Sequence, residues 1–379
     1  MVLALKPNLL LVAYSEIALK SRAVRRRLEA ALISHVSTAL TRAGLPPSSQ
    51  WKEDGRIFFR HEKAEAAARP ASKVFGVEYV APAVRAEASL EAIAQTASSL
   101  LEGKVKLPTR FAVRARRIGS HPYTSRDVEA ETGRRLLEAY PGKLKVDLEN
   151  PQLTVHVEVR GRNAYLYLDV FRGLGGIPFG SQGDALAILD HANAAAATWL
   201  TMKRGIRPTL LIPGASRAEA ERGVKLARKL AEWTPTGKLE GYRLTLNHTS
   251  KSLAKVKGQV LRRVLLEKAK VLAGAELSRK LQVFSLILGL DLRPDVEASL
   301  AFLSALRSAS NLLILTPLAG LTTPAREAFK VLGLKREAVR LRFQRFPSEA
   351  ELKAACVKAG LKEAVMKDLE GLRRLRVEA

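Results

Sequence analysis

Apolar and polar residues alternate along the first part of the chain in a pattern that predicts a small α+β unit. Residues 9–14 form an uninterrupted apolar run with the length of a buried strand. Ser21 is suited to cap a long helix, whose apolar residues recur at helical spacing until Gly44 and two prolines end it. Residues 56–61 predict a further strand. We therefore expect residues 1–80 to form an N-terminal domain.

Residues 81–172 predict a second α+β domain. A helical pattern over 90–101 precedes a strand pattern over 110–118, and another helix is predicted from 128 to 140. Apolar residues then alternate strictly on both sides of a turn at 161–163, which predicts a β-hairpin.

A glycine-rich segment divides the chain near its middle. Residues 173–183 contain five glycines and one proline, a composition typical of a linker. Residues 184–334 then alternate short apolar runs with helical patterns, which favours a parallel-sheet α/β domain. The predicted strands of this domain are 185–189, 210–213, 244–247, 283–288 and 312–315. Residues 335–379 predict a basic helical tail, in which Ser348 and Glu351 form a capping box.

The chain is strongly basic. Its 379 residues include 63 Lys and Arg against 37 Asp and Glu, a formal net charge of +26. This excess favours a polyanionic partner, either nucleic acid or an anionic membrane surface. The longest uncharged run, 308–324, is interrupted by Asn311 and Pro317 and does not predict a membrane span. No secretory or transit signal is recognised, so we expect a cytoplasmic protein without a membrane partner.

The single cysteine, Cys356, excludes several kinds of site. One thiol cannot form an internal disulfide, a zinc site built on paired cysteines or a cysteine-ligated iron–sulfur cluster. Its position in a helical pattern favours a packed small side chain over a catalytic thiol. The six histidines are scattered without ligand spacing, so no metal site is predicted.

Five short segments occur in a characteristic order. They are SEIALKS at 15–21, FAVRARRIGSHPYTSRDVEAETG at 111–133, DLENP at 147–151, GGIPFG at 175–180 and MKRG at 202–205. In this order they resemble the motifs of the tRNA 4-thiouridine synthetase family. The resemblance implies a ferredoxin-like domain, a THUMP domain and a PP-loop ATP-pyrophosphatase domain of the adenine nucleotide alpha hydrolase type. It also implies adenylation of a uridine with ATP and magnesium, followed by sulfur transfer through cysteines.

The phosphate-binding loop of that family does not persist in this sequence. In that family the loop has the sequence motif Ser-Gly-Gly-x-Asp-Ser. Its backbone amides and hydroxyls bind pyrophosphate at a helix N-terminus. The six matching positions here are Asp190, His191, Ala192, Asn193, Ala194 and Ala195. Both glycines and both hydroxyls are gone, and Asp190 adds a negative charge where phosphate would bind. We expect a degenerate nucleotide loop without catalytic residues and a protein without a cofactor.

Two further departures point the same way. Only Cys356 is available to carry sulfur, whereas the family's sulfur delivery uses persulfide-bearing or cluster-binding cysteines. A polar segment expected after the strand at 283–288 reads GLDLRP at 289–294 and lacks the expected side chains.

Basic residues of the THUMP-like segment predict an RNA-binding face. Arg110, Arg114 and Arg116 fall on one side of the predicted strand, with Phe111 and Val113 on the other. The resemblance implies that this domain and the N-terminal one grip the acceptor end of tRNA. The candidate RNA-binding residues are Lys20, Arg22, Arg25, Arg26, Arg110, Arg114, Arg116, Arg117, Ser125, Lys203, Arg204, Arg262 and Arg263, with Lys268 and Lys270 as further candidates. Ordinary solvated surface charge is the alternative interpretation of these residues.

Three functional hypotheses are compatible with these features. The first is a non-catalytic RNA-binding protein derived from a tRNA thiolation enzyme, with tRNA or ribosomal RNA as its partner. The second is an active ATP-dependent tRNA 4-thiouridine synthetase whose ATP site is relocated or supplied by a partner. The third is a ribosome-associated factor or an assembly factor that uses the same basic surfaces. The resemblance also allows a homodimer, although no coiled-coil pattern argues for one.

Overall fold

Each half of the chain is built on its own β-sheet, and the halves form two units, Met1–Ile177 and Pro178–Ala379. The computed structural model of the protein describes residues 5–105, 108–290, 296–308, 310–320, 323–337 and 346–379.

The first unit has a nine-stranded sheet with its helices packed against it. Its strands are β1 Leu9–Ala13, β2 Ser49–Glu53, β3 Arg56–Arg60, β4 Tyr79–Glu87, β5 Thr109–Ile118, β6 Leu144–Val146, β7 Leu153–Arg160, β8 Asn163–Tyr167 and β9 Phe171–Arg172. Its helices are α1 Arg22–Arg42, α2 Ala64–Ser72, α3 Leu90–Leu101 and α4 Ser125–Ala139, with a short 3-10 helix at Glu16–Leu19. The strand order is β2-β3-β1-β4-β8-β7-β5-β6, and β9 pairs with β4.

The long strand β4 connects the two α+β halves of this unit. Its first residues, up to Ala83, pair antiparallel with β1, and its last residues, from Val84, pair antiparallel with β8. The domain boundary predicted at residue 80 therefore falls within one continuous strand.

The first residues of the predicted linker are bonded to the first unit. Gly173 N donates to Glu78 O at 2.8 Å, and Gly175 N donates to Val77 O at 2.8 Å. A Cβ atom at Gly173 would lie 2.1 Å from Val77 O, so only glycine allows the two backbones to approach this closely. This half of the glycine-rich segment is thus ordered by the sheet rather than left as a free connection.

The second unit is a parallel α/β domain. Its strands are β10 Asp184–Ile188, β11 Arg207–Gly214, β12 Lys238–Thr245, β13 Ser285–Ile287, β14 Leu313–Leu315 and β15 Arg373–Glu378. Its helices are α5 Ala192–Lys203, α6 Arg217–Ala231, α7 Asn247–Ala254, α8 Gln259–Leu281, α9 Val296–Arg307, α10 Thr323–Leu332, α11 Glu349–Lys358 and α12 Leu361–Glu370. The strand order is β14-β13-β10-β11-β12-β15, parallel except for β15. With the two α+β halves before it, this domain confirms the predicted fold class.

Strand β10 lies at the centre of this sheet, where the strand order reverses. The chain adds β11 and β12 on one side of β10, then returns to add β13 and β14 on the other side. In open α/β sheets the crevice at such a reversal, outside the carboxyl ends of the strands, is the usual place for a ligand. The residues that follow β10 and β13 are therefore the first place to look for a site.

The C-terminal tail contains one element that the sequence analysis missed. The tail is helical as predicted, with the helices α11 and α12, and the predicted capping box of Ser348 and Glu351 is present at the start of α11. The chain then ends in β15, which pairs antiparallel with β12. The pattern Arg-Arg-Leu-Arg-Val-Glu is short and highly charged, as edge strands often are, so it carries a weak strand signal until β12 supplies the pairing. Within the described ranges, no helix is long and apolar enough to cross a bilayer.

Candidate functional site

The predicted nucleotide loop lies where β10 ends and α5 begins. His191 directly precedes the helix, and Ala192, Ala194 and Ala195 are buried in its first turn. This junction is at the carboxyl end of the central strand, beside the reversal of strand order. The loop therefore lies at the ligand-binding edge of the sheet.

An ion-pair network neutralises Asp190. Lys270 Nζ on α8 lies 2.7 Å from Asp190 Oδ2 and 2.7 Å from Glu267 Oε1, and the ring of His191 hydrogen-bonds to the other oxygen of Asp190. Burial alone would raise the pKa of Asp190, but Lys270 and His191 outweigh burial and hold that pKa well below its ordinary value. The side chain of Lys270 is only 12% exposed and is bonded within this network, which disfavours the RNA contact that the sequence suggested.

A carboxylate of the chain itself occupies the N-terminus of α5. The backbone N–H of Ala192 donates to Glu337 Oε1 at 3.0 Å. The fully buried side chain of Asn193 bonds twice to the backbone of the same glutamate, donating to its O at 2.8 Å and accepting from its N at 2.9 Å. The positive end of a helix dipole attracts anions such as phosphate. At α5 this end is already met by an internal anion.

The main chain that follows β13 closes over the same helix start. A Cβ atom at Gly289 would lie 2.3 Å from Ala194 N and 2.5 Å from Ala194 Cα, closer than real contacts allow. Glycine is therefore required for the two backbones to meet here. Of the segment 289–294, residues 291–294 lie outside the described residues.

A cavity of about 800 Å³ opens beside the filled loop. The carboxylates of Asp190, Glu267 and Glu337 line it, and each already bonds to a lysine or to the start of α5. The exposed arginines Arg222 and Arg262 line it as well. In the part of the chain that the structure describes, neither arginine pairs with a carboxylate. The cavity thus combines carboxylates that are already bonded within the chain with two arginines, Arg222 and Arg262, that pair with no carboxylate of the described residues.

Cys356 lies on α11 and packs against the core of the second unit. Burial raises the pKa of its thiol, although nearby Lys268 opposes the shift. A raised pKa keeps the thiol protonated at neutral pH, which disfavours its use as a nucleophile. Among the described residues, no three His, Cys, Asp or Glu side chains are grouped to hold a metal ion.

The arginines of β5 differ in their surroundings. Arg110 and Arg114 bond to the segment that follows β6, with Arg110 3.3 Å from Asp147. Arg117 donates to a backbone carbonyl of the following turn at 2.9 Å. Arg116 is exposed, and none of the described residues bonds to its side chain. Of these four, Arg116 is thus the most available to a ligand.

Four candidates surround the start of α1. Lys20, Arg22, Arg25 and Arg26 are all exposed. Arg25 also orders the preceding turn, because its guanidinium donates to the backbone oxygens of Ala18 and, at 3.3 Å, of Lys20. The side chains of Arg22 and Arg26 have no bonding partner within the described ranges.

The candidates on α4 and α5 are more constrained. Ser125 is the first residue of α4 and follows Thr124, which caps that helix in a capping box with Asp127. Lys203 Nζ lies 2.7 Å from Glu327 Oε2, an ion pair that ties α5 to α10. Arg204 is exposed at the C-terminal end of α5.

The structure brings some predicted residues together and separates others. Arg262 and Arg263 line the cavity beside Asp190, whereas Arg204 lies at the far end of the helix that follows the loop. Sequence reasoning missed the role of Glu337, which lies 145 positions after its hydrogen-bond donor Ala192. No local signal marks a contact of that separation.

The fold and the position of the loop define a class of protein. In this class, two α+β domains are followed along the chain by an α/β domain of the PP-loop type. Three family models match in succession: the ThiI ferredoxin-like domain at 9–81, the THUMP domain at 87–169 and thiamine biosynthesis protein ThiI at 180–326. The probable tRNA sulfurtransferase of Aeropyrum pernix is 35% identical over 327 residues, which cover 83% of this chain and 80% of that protein. The chain belongs to the tRNA sulfurtransferase family, the tRNA 4-thiouridine synthetases, and the resemblance found in the sequence is confirmed.

Other comparisons agree on the fold. The probable tRNA sulfurtransferase of Methanosarcina acetivorans is 35% identical over 247 residues, which cover 63% of this chain but only 60% of that relative. The crystal structure of PH1313 from Pyrococcus horikoshii has 26% identity and a TM-score of 0.67, covering 86% of this chain and 100% of that one. A 4-thiouridine synthetase–RNA complex with bound ATP has a TM-score of 0.79 over 98% of this chain and 100% of that one. At 18% identity, this last likeness shows the fold alone.

Proposed function

We propose that this chain binds structured RNA, either tRNA or ribosomal RNA, and does not itself perform ATP-dependent thiolation. One observation supports the lack of ATP-dependent thiolation. Two carboxylates of the chain lie at the loop, where Asp190 is bonded to Lys270 and Glu337 is bonded to Ala192. A triphosphate at this helix start would have to displace the Glu337 carboxylate from the backbone N–H of Ala192, and like charges repel strongly in a partly buried site. The residues present do not fit a triphosphate.

RNA binding is supported by charge and by relatives. The net charge of +26 favours a polyanion, and the exposed Arg22, Arg26 and Arg116 have no bonding partner among the described residues. Relatives are named tRNA sulfurtransferases, and a protein of the same fold has been solved with RNA. Phosphate contacts from such arginines position an RNA without reading its sequence.

Removing two of these arginines is expected to weaken tRNA binding. The double substitution Arg22→Gln with Arg116→Gln should reduce affinity about tenfold and the slope of log affinity against log salt by about 1.5, because each lost phosphate contact contributes roughly 0.7–0.9. Filter binding across a salt titration measures both quantities. Arg69→Gln on α2 with Lys73→Gln directly after that helix is the matched control, since this double substitution removes the same charge from exposed positions outside the candidate set. A wild-type slope near zero, or equal affinity for heparin and tRNA, would contradict the proposal.

Retained catalysis is the second candidate function. The cavity at the reversal of strand order, with its unpaired Arg222 and Arg262, favours it because such a cavity has room and charge for an anionic ligand. The names of the relatives favour it as well.

Formation of AMP separates the two candidates. Purified protein with tRNA and Mg·ATP is expected to form no AMP above a control without protein, because the helix start that would hold the phosphates is filled. ATP is likewise expected to leave the melting temperature unchanged. AMP formation that depends on tRNA would establish the second candidate instead.

A further inference from the structure

A second, smaller groove of about 360 Å³ lies at the end of β12, apart from the degenerate loop. Arg243 on β12, His248 on α7, Lys367 at the end of α12 and Arg373 at the start of β15 line it. One acid, Asp368, lines it as well. The groove is therefore a concentration of cations in a concave part of the second unit.

The two arginines that line the groove lie opposite each other on neighbouring strands. Arg243 and Arg373 are opposite residues in the antiparallel pairing of β12 with β15, an arrangement that is unfavourable for like charges. In the ranges that the structure describes, no carboxylate lies within ion-pair distance of Arg243, Arg373 or Lys367. Glu221 exerts some attraction on Arg243, but its side chain is bonded to Arg217 at 2.8 Å. The repulsion between Arg243 and Arg373 is therefore not offset by a carboxylate of the described residues, and a bound anion would offset it.

The one acid of the groove is turned inward. The side chain of Asp368 is 1% exposed. It accepts hydrogen bonds from the backbone N–H groups of His248 at 2.8 Å and Thr249 at 2.9 Å, and it contacts the His248 ring at 3.0 Å. The carboxylate of Asp368 therefore caps the start of α7 and does not face the open side of the groove, which stays positively charged.

The residues that line the groove come from two parts of the chain, one inside the ThiI family match and one beyond its end. β12 and α7 lie inside the range matched by the ThiI family model, which ends at residue 326. α12 and β15, which supply Lys367 and Arg373, lie beyond it. The C-terminal segment therefore completes a cationic surface that the matched range alone does not contain.

We propose that this groove binds the phosphodiester backbone of RNA. Guanidinium groups match phosphate oxygens with paired hydrogen bonds, and the polar side chains of Thr245 and Asn247 beside them add further donors. Three unpaired cations along one groove favour an extended polyanion over a single phosphate group. This inference rests on the proposed RNA-binding function and assigns it a second contact region, in the α/β unit.

The test compares two charge-matched double variants of the full chain. Lys367→Gln with Arg373→Gln is expected to weaken tRNA binding about tenfold and to reduce the salt slope by about 1.5. Lys358→Gln with Lys362→Gln removes the same charge from exposed positions on α11 and α12 outside the groove, and should change the slope by less than about 0.3. The charge-preserving variant Lys367→Arg with Arg373→Lys should keep the wild-type slope, which separates lost charge from lost folding.

Each other outcome overturns a defined part of this account. Equal losses in the groove variant and its control would mean that only the general positive field acts, which overturns the groove. A melting temperature that rises with millimolar inorganic phosphate in the wild type but not in Lys367→Gln with Arg373→Gln, together with an unchanged RNA slope, would assign the groove to a small phosphate. Wild-type binding without salt dependence would overturn the proposed function itself, whereas normal wild-type binding with an unaffected groove variant overturns this inference alone.

Discussion

Replacing Lys270 by methionine is expected to lower the free energy of unfolding of the second unit by about 3 kcal/mol, because a buried carboxylate loses its main counter-charge. Asp190 lies 2.7 Å from Lys270 and is 16% exposed, so water cannot replace the ammonium group well. For a unit of this size the loss corresponds to a fall in melting temperature of roughly 6–12 °C. Calorimetry or circular dichroism on the full chain measures it.

A neighbouring lysine provides the control. Lys268 on the same helix bonds only to a serine hydroxyl at 3.2 Å among the partners described, and Lys268→Met should change stability by less than about 0.5 kcal/mol. Adding Asp190→Asn to Lys270→Met should recover most of the loss, since the unpaired charge is then removed. If Lys270→Met lowers the stability no more than Lys268→Met does, Asp190 does not depend on this lysine, and the ion pair with Lys270 does not hold the loop.

Replacing Glu158 by glutamine is expected to destabilise the first unit by about 3–5 kcal/mol, because two buried arginines then lose their counter-charge. Glu158 on β7 contacts the guanidinium groups of Arg56, at 3.2 Å, and of Arg160, and it accepts hydrogen bonds from the hydroxyls of Tyr79 at 2.7 Å and Tyr167 at 3.2 Å. These partners come from both α+β halves of the sheet. The melting temperature of the first unit measures the effect.

The same network has a defined pH dependence. Burial would raise the pKa of Glu158, but Arg56 and Arg160 outweigh it and lower that pKa. Its stabilisation is therefore present above the ordinary carboxyl pKa of about 4.3 and is lost as pH falls through the lowered value. The gap between wild type and Glu158→Gln should thus narrow in acid. Glu138→Gln, which removes an exposed partner of Arg134, should leave the melting temperature unchanged, and a loss equal to that of Glu158→Gln would refute the buried-network account.

Local patterns predicted the exposed and buried faces of β5 well. Phe111 and Val113 are buried, and Arg110, Arg114 and Arg116 are exposed, as the two-residue period of a strand requires. The partners of these arginines were not predictable. Arg110 meets Asp147 because β5 and β6 pair in parallel, and that register is set by packing between segments more than 30 positions apart.

The C-terminal strand shows a second limit of sequence reasoning. The two helices of the tail were recognisable because their signals, such as the capping box of Ser348 and Glu351 at the start of α11, lie within a few residues of one another. β15 was not, because a strand with three arginines has little apolar pattern until it pairs with β12. The groove of Arg243 and Arg373 follows from that pairing and was invisible for the same reason.

By itself, the sequence determined the class of fold, the strong positive charge, the family and the loss of glycines and hydroxyls from the nucleotide loop. These properties depend on composition, on periodicity and on the order of motifs, and all three can be read from the sequence without knowledge of tertiary contacts. Only the tertiary structure decided which charges meet. Lys270 neutralises Asp190 from 80 positions away, and Glu337 caps α5 from 145 positions away, because the sheet and its covering helices bring those segments together. An ion pair depends on distances of a few ångströms, and such distances are fixed by packing rather than by any single stretch of chain.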